Sequence, residues 1–357
     1  MSAYMNGSDI EMGVSGRYAR GWHCLGLAKD YSSRPVSLRY FDKKLVVFRG
    51  ADGAAVVLDA YCPHMGADLA LGEVDGNSIR CPFHHWRWRA DGVCDHISYA
   101  KRIPPRAVIK SWSTMEENHL LFVWNDPEGN APIEEQRIPR IHACFGGEWS
   151  EWSIELYEVN AHYAEVLDSM ADVAHFLPVH GARLHAFANT SEGHIYVQEQ
   201  AGGSESMAGP ADFQYSALAT YYGPAYMVSV LIAQAAGRKP VESRLLVSHI
   251  PLSVERFHLR FGVMVRRDPE LTEEENQAMV AASVKLASDG FKQDIRIWQN
   301  KIRMDRPLLC QGDGPIQMLR KWHRQFHVDV TDVPATLRER RVYRHTDKTV
   351  PKIEHRP

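Results

Sequence analysis

No apolar run in the 357-residue sequence is long enough to cross a bilayer. The most apolar stretch, AYMVSVLIAQAA at 225–236, falls short of the ~20 residues that a spanning helix needs and carries Ser229 and Gln234. The first residues, MSAYMNGSDIEMG, lack the basic and apolar regions of a secretory leader, so the expectation is a cytoplasmic protein with no membrane contact. Neither charge sign is in excess. The 41 Lys and Arg against 44 Asp and Glu leave a net charge of -3, too little positive field to gather nucleic acid or an anionic surface. Cysteine is sparse, six residues scattered over the chain, which argues against a disulfide scaffold and for thiols or metal ligands. Of these, Cys24, Cys94, Cys144 and Cys310 are expected to be plain buried or half-buried thiols. Internal repeats and low-complexity tracts are absent.

Also missing is the like-paired C-x2-4-C and H-x3-5-H arrangement of a structural zinc site. What stands in its place is CPHMGADLALGEVDGNSIRCPFHHW at 62–86, with a C-x-H group and a C-x2-H group sixteen residues apart. Each pair is mixed. A Rieske-type 2Fe-2S cluster needs that pattern, because two thiolates hold one iron, two imidazoles hold the other, and each loop gives one ligand of each kind. Cys62 and Cys81 are therefore assigned to one iron, His64 and His84 to the other, and His85 is a spare that points elsewhere. Gly66 and Gly92 suit loops that approach sulfur closely.

Around this motif the chain is β-rich: KLVVFRG, AAVVLDAY and LLFVW are separated by the turn segments ADGA, VDGN and ADGV. The expected order is a β domain over 1–130 and a larger domain over 131–337, with Pro132 and Pro139 in the connection and a solvated tail over 338–357, where seven Lys or Arg face three acids. In the larger domain, 161–179 has helical spacing up to Pro178, which should end or kink it. RFHLRFGVMV alternates with Phe257, Leu259, Phe261, Val263 and Val265 on one face of a strand, and Thr272 with Glu275 forms a capping box that opens a helix to about 304, bent near Gly290. The fold class is α+β, with an antiparallel sheet in the second domain.

A second ligand constellation lies in YAEVLDSMADVAHFLPVHG. Two histidines and one carboxylate form the facial triad of non-haem Fe(II) oxygenases. His175 and His180 supply the imidazoles, since Pro178 can bend the second ring back to a shared metal. Glu165, Asp168, Asp172 and His175 recur at steps of three or four along one helix face. For the carboxylates alone that face reads as solvent-exposed. The triad acid is Glu165, Asp168, Asp172, or Asp294 in GFKQDIRIWQNK, which has Phe291, Ile295, Ile297 and Trp298 for neighbours and is costly to bury without a cation. Tyr221, Tyr222, Tyr226, Met227, Phe176, Leu177 and Trp298 are the candidate lining of an apolar substrate pocket, although aromatic and Met residues at such spacing are more often core.

With RYARGWHCLGLAKD, CPHMGADL, CPFHHWRW, DVAHFLPVH, YYGPAYM, FKQDIRIWQNK and LRKWHRQFHVDV, the sequence resembles the Rieske non-haem iron oxygenases, and within them the branch that hydroxylates 3-ketosteroids at the 9α carbon. The resemblance implies an all-β Rieske domain followed by a helix-grip-like catalytic domain. It implies His175, His180 and Asp294 as iron ligands, and Asp172 as the catalytic bridge from a neighbouring subunit's Rieske histidine to the iron of a homotrimer. It further implies O2 as co-substrate, a separate flavin and 2Fe-2S reductase fed by NADH, and a steroid substrate. The chain departs from the pattern at Ser169, where Asn is usual, at His85, where Asp is usual, and at Pro178, where an aromatic is common. The alternatives are a Rieske oxygenase that hydroxylates, desaturates or demethylates another hydrophobic compound, and more remotely an electron carrier or zinc module.

Overall fold

The computed structural model describes residues 17–204 and 213–345. They divide into two compact units, one holding residues 17–141 with Ile250–Val254, the other His142–His249 with residues 255–345. The change of unit falls after Ile141 and not at 130.

In the first unit the β-rich runs form strands. Val36–Tyr40, Lys43–Arg49, Ala55–Asp59 and Ser111–Trp112 make one four-stranded sheet, and Gly21–Leu27, Leu120–Asn125 and Thr114–Glu117 make a three-stranded one. A further sheet orders Glu73–Asp75, Ser78–Arg80, Arg87–Arg89 and Cys94–His96. Its first hairpin, closed at Asp75 and Ser78, folds back the stretch between the two Cys/His groups. Val46, Phe48, Val56 and Leu58 join Cys62, Cys81 and Trp88 in one buried cluster.

In the second unit an eight-stranded sheet runs in the order Ser153–Val159, Arg256–Val265, Val241–Ser253 (whose last residues, from Ile250, are counted with the first unit), Tyr226–Gln234, Phe213–Tyr222, Ile195–Ser204, Ala182–Glu192 and Arg341–His345. Phe257, Leu259, Phe261, Val263 and Val265 are all buried, as their alternation predicts. Each contributes roughly 1.5–3 kcal/mol of apolar burial. Arg260 and Met264 are buried as well, so the second half of this strand is covered on both faces. Among the described residues four α-helices accompany the sheet: α1 (Glu165–Asp168), α2 (Phe176–His180), α3 (Glu273–Trp298) and α4 (Ile316–His323). The Thr272/Glu275 capping box opens α3, and Phe291 of α3 stacks on Phe261 of the sheet at 4.3 Å between ring centroids.

Three expectations are corrected. The segment 161–179 is not one helix, because backbone groups that a helix would use are committed elsewhere. The Met170 carbonyl accepts from the Asn189 and Gln198 side-chain amides at 2.7 and 2.8 Å, and the Val173 N–H donates to the Asp313 carbonyl at 2.9 Å. α3 runs unbroken through Gly290 and stops at Trp298 instead of reaching 304. Within the expected tail, Arg341–His345 is an edge strand paired with Ala182–Glu192, and Tyr343 packs with Phe176 and Phe187. Its charged neighbours suit an edge. Residues 346–357 of that tail lie outside the described residues.

Candidate metal centres and substrate cavity

The two loops of the first ligand group are closed by their own backbones. The Gly66 N–H donates to the Cys62 carbonyl at 2.8 Å, and the Cys62 N–H to the Ala67 carbonyl at 2.9 Å. In the second loop the Cys81 N–H donates to the Trp86 carbonyl at 2.8 Å, and the His85 N–H to the Cys81 carbonyl at 3.1 Å. Gly66 turns at φ +75°, and a Cβ there would meet nothing within 4 Å, so its requirement is the turn and not close approach. A Cβ on Gly92 would collide with the Ile109 carbonyl oxygen, so that glycine serves backbone packing, not sulfur. His85 is exposed and sits in the left-handed region at φ 57°, which turns the chain between His84 and Trp86.

The His64 and His84 rings meet edge to face at 4.5 Å, and Trp86 stacks on His64 at 4.5 Å and 11°. Trp86 is itself fixed, its indole N–H donating to the Tyr99 hydroxyl at 2.7 Å. Cys62 and Cys81 are both buried free thiols. Burial pushes the Cys62 thiol up to about 11; neighbouring Cys81 adds to this, and a hydrogen bond from the His64 amide opposes it. His64 Nδ1 is buried with no hydrogen-bond partner. A cationic centre would offset both costs, by holding the sulfurs as thiolates and by taking the orphaned nitrogen lone pair. These residues fit a cluster. Cys94 and Cys144 are buried as expected, and so is Cys24, but Cys310 is exposed.

In the second unit His175 precedes α2, His180 ends it, and Asp294 projects from α3. One donor atom from each lies within 4.8 Å of the others. His180 Nε2 is 3.3 Å and His175 Nε2 3.9 Å from the two Asp294 carboxylate oxygens. The opposite ring nitrogens are occupied: His175 Nδ1 lies 2.8 Å from the Asp172 backbone carbonyl and His180 Nδ1 3.0 Å from Gln293 Oε1. Both acceptors lack a proton to give, so both rings carry hydrogen on Nδ1 and present the Nε2 lone pair to a metal. Asp294 is 9% exposed and so needs a cation. The set fits iron. Pro178 falls in the first turn of α2, where its missing N–H costs no helical bond, and the helix that it was expected to end begins beside it.

The other carboxylates do different work. Glu165 and Asp168 are buried and not solvent-facing. Asp168 pairs with Arg320 at 2.5 Å and Arg303 at 3.3 Å, and Glu165 with Lys301 at 2.5 Å and Arg303 at 3.1 Å. Asp172 accepts the His175 backbone N–H at 3.2 Å and keeps about a third of its side chain exposed, at 34%. Burial alone would raise its carboxyl, but the hydrogen bonds from His175 hold it below the usual carboxylate range.

The three donors open on a cavity of about 1160 Å³ inside this unit. Phe176, Tyr221, Met227, Phe261, Phe291 and Trp298 line it; Ser169, Gln198 and Ser229 are among its polar groups, and charged residues including Arg238, Lys239, Glu242 and Arg267 also border it. Leu177, Tyr222 and Tyr226 do not line it. Leu177, within α2, is half exposed, while Tyr222 and Tyr226 each follow or precede a lining residue on a strand and point to the opposite face. Gln293, Arg303 and Arg320 escaped the sequence reading. Only the position of Gln293 beside Asp294 could have flagged it.

A mixed Cys/His module followed by a cluster of two histidines and one carboxylate beside an apolar cavity defines the class of Rieske non-haem iron oxygenases. The Rieske [2Fe-2S] domain family matches residues 21–112, and the family of the 3-Ketosteroid 9alpha-hydroxylase C-terminal domain matches residues 123–327. The chain is 42% identical over 344 residues to a 3-ketosteroid-9-alpha-monooxygenase, oxygenase component, of Rhodococcus rhodochrous, covering 93% of this chain and 87% of the relative. It is 40% identical over 340 residues to the protein of that name from Mycolicibacterium smegmatis, covering 93% and 88%. A solved structure of dicamba monooxygenase bound to 3,6-dichlorosalicylic acid shares the fold, with a TM-score of 0.70 at 17% identity over 87% of this chain and 97% of the other. The chain belongs to the 3-ketosteroid 9α-hydroxylase family of Rieske oxygenases. It is an oxidoreductase whose cofactors are a Rieske 2Fe-2S cluster and a non-haem iron, with O2 as co-substrate. Among the described residues no helix is long and apolar enough to cross a membrane.

Proposed function

We propose that this chain is the terminal oxygenase of a multicomponent monooxygenase that hydroxylates a 3-ketosteroid at the 9α position, with electrons passed from NADH by a separate flavin and 2Fe-2S reductase. The observation that carries the reading is the clustering of His175, His180 and Asp294 on the wall of an apolar cavity of about 1160 Å³. The names of the relatives support the steroid and the position attacked. On this reading Cys62, Cys81, His64 and His84 hold the cluster, and His175, His180 and Asp294 hold the iron. When bound, the cluster supplies single electrons and the iron supplies activation of O2.

The chain's own residues orient and enclose. The Asp172 carbonyl and Gln293 keep the Nδ1 protons in place, and Asp294 brings the one negative charge among the three donors. Phe176, Met227, Phe261 and Trp298 offer broad apolar walls that suit a rigid polycyclic substrate and exclude water from the reacting carbon. For the assembly we infer a homotrimer in which His84 of one copy meets Asp172 of the next. Two features support this: the Asp172 side chain stays partly exposed, and the cluster loops carry exposed Tyr61, Met65, Leu71 and Phe83, an apolar collar suited to burial against a second copy. A cytoplasmic location suits a reaction fed by NADH.

The test is turnover with a surrogate reductase and NADH on a panel of 3-ketosteroids and aromatic acids, with products identified by mass spectrometry. A hydroxylated 3-ketosteroid is expected. Conversion of another class with no steroid product would remove the substrate reading while leaving the oxygenase class in place.

A further inference from the structure

The two iron-site imidazoles are oriented by different means. His175 Nδ1 is held by a backbone carbonyl, that of Asp172, at 2.8 Å. His180 Nδ1 is held by a side chain, Gln293 Oε1, at 3.0 Å. Gln293 sits on α3 immediately before Asp294, so one helix delivers both the carboxylate of the cluster and the acceptor that fixes the facing ring. A metal-binding histidine whose second nitrogen is hydrogen-bonded commonly has a carboxylate, a carbonyl or water there, and the choice sets ring orientation and ligand basicity. Here it is a neutral amide. Rotating that amide by half a turn would aim its NH2 at Nδ1, push the ring proton to Nε2 and close the nitrogen that faces Asp294.

We propose that Gln293 is a positioning residue for the mononuclear iron: its carbonyl oxygen fixes the Nδ1–H tautomer and the ring angle of His180 and thereby sets the Fe(II) affinity of the site. The proposal rests on the reading of His175, His180 and Asp294 as the ligands. Because Gln293 is exposed, water can replace part of its bond, and the expected loss lies at the low end, about 10-fold, of the range for removing such a partner.

The experiment uses the full-length protein from which the labile iron alone has been removed, with the Rieske absorption spectrum as the check that the chain is folded. Fe(II) binding is measured by competition with a chromophoric chelator for the parent, Gln293→Leu, Gln293→Glu and His180→Ala. Gln293→Leu, which keeps the bulk and removes the acceptor, is expected to weaken binding about 10-fold. Gln293→Glu, which restores an acceptor and adds charge, is expected to bind at least as tightly as the parent. Binding by Gln293→Leu within twofold of the parent overturns the proposal, as does an equal loss in Gln293→Glu, which would assign the effect to the amide N–H groups or to packing. His180→Ala separates the two levels: retention of full Fe(II) affinity there removes the ligand reading itself, whatever Gln293→Leu does.

Discussion

Arg320→Met tests whether the ion network behind the iron site is structural. Asp168, 8% exposed, accepts from Arg320 Nε at 3.0 Å and Nη2 at 2.5 Å, and from Arg303 at 3.3 Å. Arg320 also donates to the Met304 and Asp305 carbonyls at 2.7 and 3.2 Å. Methionine keeps the aliphatic stem but leaves Asp168 with one longer contact to an Arg303 that Glu165 already shares. Removing one partner of a buried pair costs about 3–5 kcal/mol, chiefly because the surviving charge is stranded. At ~2–4 °C per kcal/mol for a unit of this size, the melting transition of the catalytic unit should fall by about 6–20 °C in calorimetry. Asp168→Leu combined with Arg320→Met should recover part of that, since Arg303 keeps Glu165 and no carboxylate is left unpaired. A loss of less than ~2 °C in the single variant would refute the reasoning, because it would mean that Asp168 is solvated despite its burial. Asp168 stands four residues before Asp172, so iron content should fall along with stability.

His323 is fully buried and packed against His327 at 5.0 Å between ring centroids, and burial first, then His327, His249 and Arg303, hold it well below its ordinary 6.5. The unfolded chain therefore takes up a proton near pH 6.5 that the folded chain refuses, and stability is retained above that pH and lost as pH falls below it, by about 1.4 kcal/mol per unit. His323→Phe should flatten thermal stability between pH 6.5 and 5, and an unchanged slope would remove the cause assigned. Asp172→Asn should slow reoxidation of the reduced Rieske cluster during turnover by about 100-fold with the iron content of both centres unchanged; a parental rate would end its bridging role. Ala219→Phe, projecting into the cavity, should lower steroid kcat/KM by roughly 10- to 200-fold at constant iron content, and equal turnover would place the substrate elsewhere.

Short-range chemistry is what the sequence makes legible. C-x-H and C-x2-H identify a cluster because each pair sits on one tight loop, and the loop at Cys62–Ala67 needs only its own backbone to close. Alternation likewise gives the buried face of Arg256–Val265, since a strand repeats every two residues whatever surrounds it. The reading fails where a distant partner decides. Periodicity over 161–179 cannot report that Asn189 and Gln198 take the Met170 carbonyl, nor that Arg303 and Arg320 wait for Glu165 and Asp168. From local spacing alone Asp294 was one acid among four, and the resemblance was what favoured it; three-dimensional placement then brings it to His175 and His180. Tyr222 and Tyr226 show a finer failure, in which the apolar stretch is visible but the phase of its two faces is set by pairing that the sequence does not display.

The most direct measurement is turnover of a 3-ketosteroid under 18O2 with a surrogate reductase and NADH, with the product located by NMR and weighed by mass spectrometry. One labelled oxygen is expected at the 9α carbon, its yield abolished in Asp294→Ala while the Rieske spectrum persists. An unlabelled product, a label at another carbon, or undiminished yield in Asp294→Ala would contradict that expectation.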